Sequence, residues 1–134
     1  MLNRDSGKSE YVIDGNDIHT TQDFYDNLIR AIVPGVIEVR LRTLDGLNDF
    51  LYRGDDKPER GFILVWKNSE VSRMRLGYPE TVKQLEKTLV ECHPANKKSV
   101  LERIEAAKRN TGVTMFDKIV NVIRVHPDVE LILD

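Results

Sequence analysis

The chain has 134 residues, 40% of them apolar and 31% charged, a composition that supports one soluble domain with its own core. Its net charge of −2 excludes nucleic-acid or membrane binding driven by the overall field, so any functional electrostatics must come from local clusters. The single cysteine, Cys92, excludes an intrachain disulfide and fits a reducing compartment.

Residues 1–10 are polar, carrying Arg4, Asp5, Lys8 and Glu10, and lack the apolar stretch of a signal peptide. No run approaches the roughly twenty apolar residues that a membrane helix needs. The expectation is a disordered leader over 1–10, a single domain over 11–134, and a cytoplasmic location. Tyr11-Val12-Ile13 reads as a short strand, closed by the turn signal Asp14-Gly15-Asn16-Asp17. Thr20 with Asp23 three residues on has capping-box spacing. Phe24, Leu28, Ala31 and Ile32 then form the apolar stripe of a helix that stops at Pro34-Gly35.

Ile37, Val39 and Leu41 alternate with Glu38, Arg40 and Arg42. Period two is the pattern of a strand, yet the segment also reads as a loop entering the next helix. Thr43 can cap that helix, which carries Leu44, Leu47 and Leu51 on one face and ends near Tyr52-Arg53-Gly54. Asp55 to Arg60 forms a charged loop. Phe62-Ile63-Leu64-Val65-Trp66 is an unbroken apolar run, as expected of a strand buried on both faces in a parallel sheet.

After Gly77-Tyr78-Pro79, Val82, Leu85 and Leu89 mark one helix. Following the break at Cys92 to Asn96, Ser99 and Glu102 have the spacing that introduces a second, carrying Val100, Leu101 and Ile104. Asn110-Thr111-Gly112 ends it. Phe116, Ile119, Val120 and Ile123 give a last helix, broken at His126-Pro127-Asp128, and Val129 to Leu133 a last strand. The predicted fold is α/β, a small three-stranded parallel sheet packed with helices.

The chemistry concentrates in the helix after Thr43. At about 100° per residue, Asp45 and Asp49 point opposite Leu44, Leu47 and Leu51, with Asn48 and Tyr52 flanking the carboxylates. Two like charges at i and i+4 disfavour a helix by a few tenths of a kcal/mol. The helix dipole offsets this near the N-terminus for Asp45, but not for Asp49. By pattern alone the face is an ordinary solvated surface.

Leu44-Asp45-Gly46-Leu47-Asn48-Asp49-Phe50-Leu51 resembles the Leu-Asp-Ala-Leu-x-Asp-x-Leu helix of the barstar family of ribonuclease inhibitors. Tyr11 to Gly15 is similar to that family's first strand and turn, and Asp23-Phe24-Tyr25 to the start of its first helix. Trp66-Lys67-Asn68-Ser69 resembles the end of its second strand and the polar turn after it, and Phe116 to Leu133 its last helix and strand. The resemblance covers 11–69 and 113–134, in order, and implies one extra helix inserted within about 78–112.

It also implies an immunity protein, without catalysis or cofactor, that blocks a secreted ribonuclease toxin as a monomer in a one-to-one complex. Carboxylates would take the place of RNA phosphates in a cleft of Arg, Lys and His. By position, Asp45 and Asp49 would be the charged contacts, with Thr43, Asn48 and Tyr52 beside them. The chain departs from the family where Val39-Arg40-Leu41-Arg42 replaces aromatic residues and a glycine. Asn48 stands at a tryptophan-like position, and Asn121 near a late acidic contact. Arg40 and Arg42 make the face mixed in charge and favour a target with acidic residues on its cleft rim, or a toxin that is not a barnase-like ribonuclease.

Two other classes fit less well. No Gly-rich phosphate loop, metal-ligand spacing or nucleophile elbow is present, and Cys92-His93 are chain neighbours rather than a pair placed to meet. His19, His93 and His126 sit beside turns, where exposed imidazoles are expected. Lys83, Lys87, Lys97, Lys98, Arg103, Lys108 and Arg109 form a basic stretch, but glutamates interleave and no aromatics offer stacking, so it reads as solvated helix surface without nucleic acid.

Overall fold

The computed structural model describes residues 8–35, 41–53 and 61–134. Three strands, β1 (Ser9–Asp14), β2 (Phe62–Lys67) and β3 (Val129–Leu133), form a parallel sheet with β2 at its centre. Six α-helices accompany them among the described residues: α1 (Thr21–Ile32), α2 (Leu44–Arg53), α3 (Ser69–Arg75), α4 (Tyr78–Glu91), α5 (Lys97–Lys108) and α6 (Met115–Arg124). The α/β class and the three parallel strands agree with the sequence reading. β1 begins at Ser9, so Ser9 and Glu10 pair in the sheet rather than ending a leader. Residues 36–40 and 54–60, with most of the Ile37–Leu41 alternation and the charged loop, lie outside the described residues.

The register explains the run of apolar residues in β2. Tyr11, Leu64 and Leu131 lie side by side, as do Ile13, Trp66 and Leu133. These residues share one face with Phe62 and Val129 and meet α1, α2 and α6 in the main core. Ile63 and Val65 point to the other face and are buried as well. Both faces of β2 are therefore dry, and alternation is lost.

Trp66 is the largest buried side chain in that core. Phe24 stacks on it at 4.9 Å and Phe116 lies at 5.1 Å, while its indole N–H donates to Ser72 Oγ at 2.9 Å. Ser72 belongs to α3, a helix of seven residues that periodicity does not announce. Asn68 starts it in the left-handed conformation and donates to the Asp14 carboxylate at 2.9 Å. Asp14, which also accepts from the Asn16 amide, is held below its ordinary carboxylate value mainly by the Asn68 bond. A Cβ on Gly15 would collide with the Asn68 carbonyl, so the β1 turn can approach α3 only with glycine there.

Thr20 forms the capping box expected with Asp23, and Thr114 and Asp117 form a second one at the start of α6. Ser99 caps nothing: α5 starts at Lys97, directly after a 3-10 turn at Pro94–Asn96, and Ser99 lies inside its first turn. Residues 78–112 fold into a hairpin of α4 and α5 with its own small cluster of Leu85, Val100, Ile104 and Ala107.

Two polar ties fasten this hairpin to the rest. The buried Glu80 carboxylate accepts from the backbone N–H and the hydroxyl of Thr21, at 2.8 and 2.7 Å, and from Gln84 at 3.1 Å. Thr81 Oγ accepts from the Met115 amide at 2.8 Å. Glu80→Ala removes a charged acceptor from buried donors at the start of α1. It is expected to lower the unfolding free energy by about 1–3 kcal/mol, read as a lower urea midpoint at unchanged slope.

Candidate partner-binding site

α2 follows directly from its sequence. The Thr43 hydroxyl accepts from the Gly46 amide at 2.9 Å, capping the helix as expected. Leu47 and Leu51 are buried, Leu44 is half-buried against the same core, and Phe50 is buried with them. Asp45 and Asp49 are exposed on the opposite side, and Tyr52 stands out at 70% exposure. Asp45, Asp49 and Tyr52 thus share one solvent-facing stripe, with Thr43 exposed at its N-terminal end.

Asn48 departs from the expectation. It is half-buried, and its Oδ1 lies 2.8 Å from His126 Nε2, a hydrogen bond between residues far apart in the chain. His126 itself is buried at 7% exposure, which corrects its reading as a solvated turn histidine. The bond ties the middle of α2 to the turn before β3. Asn48 is therefore first a fastener of the helix. The Tyr52 ring meets the His126 ring edge-on at 6.0 Å, so the same histidine also steadies the exposed tyrosine.

Arg42 is exposed at the entrance to α2, and Arg40 lies outside the described residues. Arg42 borders a groove of about 520 Å³ between the start of α2 and the hairpin. Lys87 of α4 and Arg103 of α5 line it, so two members of the basic stretch read as plain helix surface face a shared concavity. Lys118 of α6 lines it too; it sits among the apolar positions that define α6, and no sequence pattern separates it from other surface lysines. Tyr25 closes part of the groove wall, its phenol pushed up to about 12 by burial.

The other candidate chemistries are used locally. His93 Nδ1 accepts from the Ala95 amide at 3.0 Å, and Cys92 Sγ approaches the Leu89 carbonyl at 3.7 Å. Among the described residues no three His, Cys, Asp or Glu side chains cluster as a metal site, and no helix is long and apolar enough to cross a membrane. No protein-family model, curated protein or solved structure matches this chain.

Proposed function

We propose that this chain is a barstar-like immunity protein of the cytoplasm that blocks a ribonuclease toxin with the outer face of α2. The observation that carries the reading is the stripe of Asp45, Asp49 and Tyr52. It faces solvent and stands on a helix capped by Thr43 and pinned by Asn48 to His126. A cleft that binds phosphates with Arg, Lys and His accepts carboxylates at the same positions, and a rigid helix presents them at little cost in side-chain and backbone ordering. The inhibitor needs no chemistry of its own; occupying the cleft is enough. In this reading the α4–α5 hairpin is the insertion that sets the chain apart from the family.

A second reading keeps the fold and changes the toxin. Arg42, exposed where α2 begins, favours a partner whose surface is not uniformly basic.

The test is stoichiometric inhibition. Purified protein, titrated into each of a panel of secreted microbial ribonucleases, is expected to abolish RNA cleavage by its cognate enzyme at close to one-to-one ratio. Full activity of every enzyme in excess inhibitor would overturn the ribonuclease reading and leave the second.

A further inference from the structure

The groove between the start of α2 and the α4–α5 hairpin is charged in an unbalanced way. Among the described residues Arg42, Lys87, Arg103 and Lys118 line it, against Asp45 and Glu91. None of the four cations makes an ion pair among the described residues; Arg103 spends one N–H on the Ser99 hydroxyl at 3.2 Å. Lys118 is half-buried, and burial, with the Arg103 charge added to it, pulls its ammonium below the ordinary lysine value. Positive charges gathered in a partly desolvated concavity repel one another, and an anion placed among them relieves that repulsion.

We propose that this groove receives an acidic segment of a partner protein, its carboxylates paired with Lys118, Arg103, Lys87 and Arg42. The assignment to a toxin's acidic rim rests on reading α2 as the partner-facing helix. Thr43 and Asp45 border the groove as well as the helix face, so a partner seated on one reaches the other. Nucleic acid fits less well. Asp45 and Glu91 interrupt the cationic lining, whereas a phosphodiester chain carries charge at every step. The one aromatic ring in the wall among the described residues, Tyr25, is buried and offers no face for a base. A protein segment can instead set its carboxylates against the four cations and neutral or basic side chains against Asp45 and Glu91.

The experiment is an amide NMR titration of the full chain with a capped hexaglutamate peptide, run in parallel with hexauridylate RNA. Saturable shifts are expected around Arg42, Lys87, Arg103 and Lys118, with affinity reduced about a hundredfold in the Arg103→Gln/Lys118→Met double variant, since each lost charged hydrogen bond is worth roughly tenfold. Lys108→Gln, which removes an exposed cation that does not line the groove, should bind the peptide as the native chain does. Should the double variant not fold, judged by its thermal melt, the exposed Lys87→Gln serves in its place. No saturable binding, or unchanged affinity in the folded variants, would overturn the proposal, as would binding of the RNA in preference to the peptide. Peptide binding is read without any nuclease, so its loss with inhibition intact removes the groove alone. Peptide binding in a chain that inhibits no ribonuclease keeps the groove and removes the toxin class.

Discussion

Under the proposed function, Asp49→Ala should cost about 2–5 kcal/mol of binding to the ribonuclease the chain inhibits while leaving the fold intact. Close charge pairs at the barnase–barstar interface are the reference case for this effect, so the magnitude is carried over with the resemblance. The cost arises on the partner's side: truncating Asp49 leaves a cationic group of the cleft buried without its counter-charge. Asp49 is exposed and lies past the first turn of α2, where the dipole no longer favours a carboxylate. Removing its charge also relieves repulsion from Asp45, so stability should be unchanged or slightly raised. Isothermal titration of the complex, paired with urea unfolding of the free variant, separates the two effects. Native-like affinity would remove Asp49 from the interface. Loss of affinity accompanied by unfolding would make its role structural.

The largest effect on stability is expected from Trp66→Ala, about 3–5 kcal/mol. Trp66 is wholly buried near the C-terminal end of β2, the middle strand of the sheet, with Phe24 and Phe116 against its ring. Truncation leaves a cavity that three neighbouring elements cannot all close, and it strands the Ser72 hydroxyl that receives the indole N–H. Trp66→Phe should recover part of the packing but not that hydrogen bond, and so fall between the two. A loss under about 1 kcal/mol in the alanine variant, measured by chemical unfolding, would mean that the site collapses around the missing ring.

Most of the architecture could be read because most elements bury one face. The stripes of α1, α2 and α6 and the apolar run of β2 are each the imprint of a single core. α3 was not legible for the opposite reason. Its Met74 is exposed, and the segment is held by the Asn68 amide donating to Asp14, the Ser72 bond to Trp66 and Arg75 donating to the carbonyls of Asn16 and Ile18, at 3.0 and 3.3 Å. The Asn68 and Arg75 bonds reach segments more than fifty residues away, and even the nearer Ser72–Trp66 bond is a side-chain contact that apolar periodicity does not encode. Similarly, nothing near His126 announces that Asn48 will reach it. At the candidate site, the acidic face came from periodicity, whereas the groove depends on how the hairpin docks. Lys87, Arg103 and Lys118 converge only in three dimensions. Ser99 misled as a cap because Pro94 to Asn96 had already wound the chain into the helix.

The hairpin's separate cluster bears on how such a chain can vary. Lengthening the connection between β2 and β3 is cheap in chain entropy, about 0.6 kcal/mol for each doubling, because closure cost grows only with the logarithm of length. A hairpin that buries apolar residues of its own, as Leu85, Val100, Ile104 and Ala107 do, asks little of the sheet it hangs from. Its polar attachment runs through a few side chains, chiefly Glu80 and Thr81. The α4–α5 segment is thus a cassette whose outer surface can be rewritten, or exchanged for another hairpin, without altering a residue of the β1-β2-β3 register.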